Sequence, residues 1–138
     1  GHKTWINVST TGEFLVNVPD RHLLKKILSS AKSFPPGTNK IEKLKLKTLP
    51  ALHVRPPRIS DCKVHLECRV EFSKEFGECG LVVGRVVSAT VDEDLTLGGL
   101  KPGFVLNPKR LRLLTYWGPD AKGREIFTTP EGTLKVKS

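Results

Sequence analysis

The residues at the amino end have the types and spacing to hold a phosphate group. His2 and Lys3 come just before Thr4, and Asn7 follows about one helical turn later. The stretch from Thr4 to Val8 predicts a short helical turn with Thr4 as its N-cap. Free backbone N–H groups and the positive end of the helix dipole attract anions at such a point. The predicted anion-binding residues are His2, Lys3, Thr4 and Asn7. An ordinary capped turn has the same pattern, so the residues alone leave both interpretations open.

The cysteines and carboxylates form no recognisable metal-binding motif. Cys62, Cys68 and Cys79 are odd in number, and their spacing matches no zinc pattern. Buried thiols in a reducing cytoplasm are the simplest interpretation. The carboxylates of residues 92–94 predict a solvated turn, because no ligand spacing there supports a cation. We therefore predict no metal site.

The histidines and glycines add no catalytic motif. His22 lies on a predicted helix and His65 on the outer face of a predicted strand, and we expect both at the surface. The glycines form neither a dinucleotide fingerprint nor a P-loop. The predicted site is therefore confined to the amino end.

The charge balance favours anionic partners. The 23 Lys and Arg residues exceed the 14 Asp and Glu residues by nine, and they are spread along the chain without a polybasic block. Nucleotides, phosphorylated cofactors, nucleic acid and acidic surfaces all suit such a balance, as does a plain basic surface. Aromatic residues make up only 7% of the chain and mostly fall within apolar strand patterns. Base stacking needs exposed aromatics, so nucleic-acid binding is the weaker alternative.

The elements nearest the amino end are a strand and a helix. Residues 13–18 form a β-rich run after a turn at residues 11–12. Asp20 predicts the N-cap of a helix with one apolar face. That face comprises Leu23, Leu24, Ile27 and Leu28. Residues 38–49 fit helix and strand about equally well, and the prolines of residues 50–57 require an extended chain.

The rest of the chain predicts mainly strands. Residues 62–72 alternate apolar and polar side chains, which indicates a long half-buried antiparallel strand. The polar side chains, which we expect in solvent, are Lys63, His65, Glu67, Arg69 and Glu71. Residues 81–87 are apolar on both faces and predict a central strand. A further strand includes Leu111, Leu113 and Tyr116 and ends at residues 117–119. The segments 124–128 and 133–137 predict a hairpin.

This order of elements predicts one mainly-β domain. Strands follow strands with few helices between them, which favours an antiparallel barrel with a helical insertion over a parallel α/β sheet. A length of 138 residues suits one domain, and no apolar tract approaches the length of a membrane span. The chain contains no Met. We therefore expect residue 1 to be a processed end, an engineered end or the start of a fragment.

Several segments resemble the flavin reductase-like, FMN-binding split-barrel family. Thr-Trp-Ile-Asn-Val at residues 4–8 and Thr-Gly-Glu-Phe-Leu-Val-Asn-Val at residues 11–18 are similar to the family's Lys-Asp-Thr-x-x-Asn-Ile and Thr-Gly-Glu-Phe-Val-Val-Asn segment. The family's later segments resemble Pro57–Ile59, Leu66–Val70, Val83–Val87 and Val91–Glu93, in the same order. The resemblance covers residues 2 to about 117.

The resemblance implies a fold and a cofactor. The implied fold is mainly β, an antiparallel Greek-key split β-barrel with one or two short helices. Family members are homodimers that bind FMN, sometimes FAD, and many accept electrons from NAD(P)H. Thr4 and Asn7 match the family's phosphate-side Thr and Asn. His2 stands where the family usually has Lys, and Lys3 where it has Asp, so the positive charge is displaced by one residue.

The sequence departs from the family pattern in three places. Family members normally have further residues upstream that carry the first barrel strands, so residues 1–138 are expected to be the carboxyl-terminal portion of one FMN-binding domain. Cys79 stands where many reductases have a histidine. The family's Gly-Leu-Thr corresponds to Lys45-Leu46-Lys47 here, in a loop that meets substrate or forms a solvated face.

Together these observations predict a cytoplasmic FMN-binding redox protein. It would transfer electrons between NAD(P)H and flavin or a downstream acceptor, as a homodimer with a possible redox partner protein. One alternative keeps the flavin and omits the nicotinamide site, which gives a non-enzymatic electron carrier. The other is a basic β-barrel that binds nucleic acid.

Overall fold

The computed structural model describes residues 3–77, 79–99, 103, 105–129 and 132–137, with the backbone alone at residue 108 and over residues 132–137. The predicted long strand organises the fold. It is β4 (Val64–Phe76), and it lies between β1 (Glu13–Val18) and β5 (Cys79–Val91) in one antiparallel sheet. Apolar side chains of β1 and β4 meet across the sheet, as where Phe14 lies opposite Cys68. The alternation of residues 62–72 thus correctly indicated an antiparallel strand.

The shorter strands form three more antiparallel sheets among the described residues. One pairs β2 (Thr48–Leu49) with β3 (Arg58–Ile59), and another pairs β6 (Thr96–Leu97) with β7 (Val105–Leu106). The third contains β8 (Thr115–Pro119), β9 (Arg124–Thr129) and β10 (Gly132–Lys137). The pairing of β9 with β10 confirms the predicted carboxyl-terminal hairpin.

The helices are short. Their bounds are α1 Lys3–Thr11, α2 Leu24–Ala31, α3 Lys40–Lys43 and α4 Pro108–Leu111. A 3₁₀ turn over Arg21–Leu23 precedes α2, and the Asp20 carboxylate accepts a hydrogen bond from the His22 N–H there, as its predicted capping role requires. Gly12 ends α1 with a φ of +66° and donates its N–H to the Val8 carbonyl. Residues 38–49, which fit both patterns, contain α3 and then β2.

The main cluster of buried apolar residues joins β4 to the chain after β5. Val64, Leu95 and Leu111 are buried, and Leu95 has no exposed surface. Four partly buried side chains pack around them: Val18, Leu66, Val91 and Leu106. Leu111 belongs to α4, so its assignment to a strand was wrong. Leu113 makes only an isolated bridge to Asp20, and the regular strand begins at Thr115.

The prediction of a central strand at residues 81–87 was wrong. This segment lies in β5, and β5 is an edge of the β1–β4–β5 sheet in the part of the chain that the structure describes. Its large apolar side chains are also exposed, with Leu81, Val83 and Val86 each about half accessible to solvent. Two apolar side chains of β4, Phe72 and Phe76, are exposed to a similar degree. The β4–β5 hairpin therefore carries several exposed large apolar side chains.

The prediction that the polar side chains of β4 all face solvent was also wrong. His65 and Glu67 are buried, at 5% and 1% exposure. Residues 50–59, which we call the strap, run past them and cover that side of the strand. The backbone groups of the proline-rich strap form few hydrogen bonds to neighbouring strands. The side chains of His65 and Glu67 on β4 provide hydrogen-bond partners for some of these groups.

Two further expectations need correction. Thr4 is not an N-cap, because α1 begins at Lys3 and Thr4 lies in its first turn. The interpretation of all three cysteines as buried holds for Cys62 and Cys68, but the Cys79 thiol is exposed. Cys79 is the first residue of β5, beside the turn of the β4–β5 hairpin, where the neighbouring residues are exposed.

Candidate functional site

Three of the four predicted anion-binding residues come together at the start of α1. Lys3 and Asn7 are four residues apart and Thr4 and Asn7 are three apart, so the three side chains share one face of the helix. All three are exposed. His2, the fourth predicted residue, lies outside the described residues.

The electrostatics at the start of α1 favour a negative charge. The first turn contains no acidic residue, so nothing on the helix itself competes for its N–H groups. Within the described part of the chain, the Lys3 ammonium donates a hydrogen bond of 3.4 Å to the Pro35 carbonyl. The same bond brings the loop after α2 next to the helix start.

The neighbouring face of α1 attaches it to the sheet. Val8 is buried, and the half-buried Trp5 ring lies against the backbone of Gly80 on β5. A Cβ atom at Gly80 would stand 2.4 Å from Cε3 of that ring, so only glycine permits this approach. At the other end of α1, the Thr11 hydroxyl donates to the Asn7 carbonyl and accepts from the Glu13 N–H. These contacts fix the exposed face of α1 relative to β5.

The Trp5–Gly80 contact also brings Cys79 close to α1. Cys79 directly precedes Gly80 in β5, and it is the position at which the resemblance implies a histidine in many reductases. A thiol can be oxidised or alkylated, and it lacks the two ring nitrogens of an imidazole. Residue 79 therefore does not offer the hydrogen-bonding groups that a histidine would offer at this position.

A buried carboxylate holds the strap, and sequence reasoning missed it. Glu67 accepts hydrogen bonds from the N–H groups of Leu52, at 2.9 Å, and His53, at 2.6 Å. Burial acts to raise the pKa of Glu67, but these N–H groups, the His53 side chain and the Val54 N–H outweigh it and lower the pKa below its usual range. The prolines just upstream were the available signal, since an extended segment without ladder partners needs side-chain acceptors.

Two more side chains fix the far end of the strap. The Asn17 side-chain oxygen accepts from the Ile59 N–H at 2.7 Å, and His65 Nε2 lies 3.0 Å from the Ile59 carbonyl. His65 Nδ1 pairs with the Thr90 hydroxyl, so both ring nitrogens have partners. His65 is thus a structural residue, whereas His22 is exposed, as expected, beside Asp20.

Neither a group of metal-ligating side chains nor a membrane-spanning helix was found where the structure can be described. No three His, Cys, Asp or Glu side chains converge there in a way that could hold a metal ion. The helices of the described ranges are all too short or too polar to cross a bilayer.

Comparison with known proteins gives a family and a set of relatives. A family model for the flavin reductase like domain matches residues 1–114. An uncharacterised protein of Archaeoglobus fulgidus is 35% identical over 92 residues, which cover 65% of this chain and 52% of that protein. The chain spans about half the length of the curated relatives it matches.

Solved structures show the same fold. Nitrilotriacetate monooxygenase component B from Bacillus cereus matches all of this chain and 63% of its own, with a TM-score of 0.74 at 22% identity. Flavoredoxin of Desulfovibrio vulgaris (Miyazaki F) matches all of this chain and 66% of its own, with a TM-score of 0.70 at 15% identity. The expected mainly-β split-barrel fold is therefore confirmed. Because the family model covers most of the chain and the fold agrees with it, the chain belongs to the flavin reductase like domain family.

Proposed function

We propose that this chain binds FMN at the start of α1 and acts as a redox protein that transfers electrons between NAD(P)H and flavin or a downstream acceptor. The observation that carries the proposal is the shared, exposed face of Lys3, Thr4 and Asn7 in a family named for flavin reduction. FAD is the alternative flavin. Its adenosine half would have to lie beyond the same phosphate-binding residues.

The donors at the start of α1 fit the phosphate of FMN. A phosphate monoester carries a charge between −1 and −2 near neutral pH and has three acceptor oxygens. The start of α1 offers several hydrogen-bond donors: the Lys3 ammonium, the Thr4 hydroxyl, the Asn7 amide and the free N–H groups of the first turn. When bound, the flavin supplies the electron transfer, and this chain supplies binding and orientation.

The cofactor test is the absorption spectrum of the protein after incubation with FMN and desalting. We expect flavin bands to be retained, and Lys3→Glu to weaken FMN binding more than about tenfold, because it reverses the charge beside the phosphate. Lys25→Glu makes the same charge change on an exposed position of α2 and should leave the affinity within about twofold. Equal affinity in wild type and Lys3→Glu would exclude α1 as the phosphate site.

Cys79, which stands where the resemblance implies a histidine in many reductases, supports a second candidate function, a flavin electron carrier without a nicotinamide site. The distinguishing measurement is the consumption of NADH or NADPH in the presence of free FMN. Steady turnover supports the reductase. A protein that retains FMN and can be photoreduced, yet consumes neither nicotinamide, is the carrier.

We further propose that the protein is a homodimer. The uncovered apolar residues of the β4–β5 hairpin favour coverage by another protein surface, since apolar patches of this kind mark interaction sites. Light scattering should give twice the mass of the chain, and Val83→Lys should shift the protein to the mass of one chain. A single-chain mass for the wild type at micromolar concentration would contradict the proposal.

A further inference from the structure

Three arginines form a row beside the strap, at the end of α1 far from the proposed flavin phosphate. Strand register places Arg69 directly between Glu13 of β1 and Arg85 of β5. Like charges directly opposite each other in a sheet are destabilising, so the Arg69–Arg85 pair needs compensation. The third arginine, Arg55, extends from the strap to Glu13.

The carboxylates near the row are already occupied. Both the Nε and the backbone N–H of Arg55 donate to Glu13, at 3.1 Å each, and Arg85 pairs with Glu71. These contacts lower the pKa of Glu13 and of Glu71, so both are ionised near neutral pH. The three guanidinium groups outnumber the two carboxylates that pair with them, and a third carboxylate, that of Glu67, is buried beneath the row.

Arg69 interacts with Glu13 across the sheet, but it forms no close ion pair in the described part of the chain. Its hydrogen bond within the described part of the chain is a 3.4 Å contact from Nη2 to the His53 carbonyl. A guanidinium has five N–H donors in a planar fork, so most of those of Arg69 are directed to solvent. The side chains of Arg55 and Arg85 are also largely exposed, at 73% and 70%. The row therefore presents several free N–H donors on one surface.

Hydrogen bonds to buried and backbone groups fix the position of the row. The buried carboxylate of Glu67 binds the His53 N–H, and the His53 carbonyl in turn accepts from Arg69. At the edge of the row, Arg55 Nη2 donates to the Thr11 carbonyl at the end of α1, at 3.3 Å. The guanidinium groups are thus oriented by a buried anchor and by a helix end, in contrast to isolated surface cations.

We propose that the row of Arg55, Arg69 and Arg85 binds a phosphate monoester, the 2′-phosphate of NADPH. This assignment depends on the proposed redox function, from which the nicotinamide dinucleotide comes. Guanidinium groups bind phosphate oxygens in a bidentate manner, and an arginine is a general means of accepting the 2′-phosphate. Thr11 is eight residues after Lys3, about 12 Å along α1, so the row and the flavin phosphate site are separate.

Isothermal titration of the flavin-free protein tests the row without any turnover. The probes are adenosine 2′,5′-bisphosphate, 5′-AMP and inorganic phosphate. We expect the wild type to bind the bisphosphate about tenfold more tightly than 5′-AMP, and more tightly than phosphate. Arg69→Gln and, independently, Arg85→Gln should reduce that preference to less than about threefold. Lys25→Gln, the charge-matched control on α2, should keep it.

Three results would overturn the assignment. The first is an unchanged preference in both arginine variants. The second is an equal loss in Lys25→Gln, which would mean that only net charge matters. The third is inorganic phosphate that binds as tightly as the bisphosphate, which would mean that the nucleotide is not recognised. Far-ultraviolet circular dichroism checks that each variant is folded, and the separate FMN-retention assay shows whether the proposed flavin function fails on its own.

Discussion

The aromatic ring of Phe14 on β1 lies directly against the backbone of Gly84 on β5, across the intervening strand β4. A Cβ atom at Gly84 would stand 2.5 Å from both Cε1 and Cζ of the ring, and 3.3 Å from the Arg69 carbonyl oxygen. Because Gly84 has no side chain, the Phe14 ring of β1 can pack directly on the backbone of β5. Gly84 belongs to the segment Val83–Val87, by which the chain resembles its family. The contact with Phe14 explains why a glycine is needed there.

Gly84→Ala should destabilise the fold by about 1–3 kcal/mol, because the added methyl group forces the Phe14 ring out of its position. Urea unfolding followed by circular dichroism measures the change. In a Phe14→Leu background the ring is absent, so the same substitution should cost clearly less. Equal costs in the two backgrounds would mean that the methyl group clashes with the Arg69 carbonyl instead.

The main strands were predictable from local pattern, whereas their environment was not. The alternation of residues 62–72 identified β4, but it could not show that the strap covers His65 and Glu67. The apolar run at residues 81–87 suggested burial on both faces, yet β5 is an edge in the described sheet. Burial in both cases depends on segments distant in sequence, and local periodicity does not report on those.

The shared helical face of the three predicted anion-binding residues could be predicted, because it depends only on local spacing. Lys3, Thr4 and Asn7 lie within one helical turn or slightly more, so their common face follows from sequence spacing alone. The row of Arg55, Arg69 and Arg85 joins a strap and two strands, and it becomes visible only through strand register. Sequence analysis found the first group and missed the second.

Gly80→Ala should displace α1 through the ring of Trp5, because the new methyl group would fall 2.4–2.5 Å from two ring carbons. In a Trp117→Phe background Trp5 is the only tryptophan, and its emission should shift to longer wavelength as the ring becomes solvated. If α1 holds FMN, the same variant should also lose affinity for it. An unchanged emission spectrum would show that the ring adjusts without movement of the helix.

Glu67→Gln should destabilise the protein by about 2–3 kcal/mol at pH 7, because it replaces a charged acceptor of two strap N–H groups by a neutral amide. Glu75→Gln, on the exposed part of the same strand, is the matched control and should unfold at nearly the wild-type urea concentration. A similar effect of the two substitutions would contradict the anchoring role of Glu67.

The contribution of Glu67 should also depend on pH in a defined direction. Its pKa in the folded protein lies below the ordinary value of 4.5, so the unfolded chain takes up the proton first as the pH falls. The stabilisation is therefore complete above about pH 4.5 and disappears as the pH falls through the lower, folded-state pKa. Urea midpoints of wild type and Glu67→Gln should converge in that acidic range, and a constant difference down to pH 2 would argue against an ionised Glu67.

The three cysteines should differ sharply in reactivity, since only Cys79 exposes its thiol. Burial, assisted by the Asp61 charge, raises the pKa of Cys62 to about 11, and burial also raises the pKa of Cys68. At pH 8 both buried sulfurs are almost entirely protonated and unreactive. Labelling of the native protein with a chromogenic disulfide reagent should release one equivalent rapidly, and Cys79→Ser should abolish that phase while full reaction in denaturant still gives two. Rapid release of two or three equivalents from the native wild type would show that Cys62 or Cys68 becomes accessible far more readily than its burial implies.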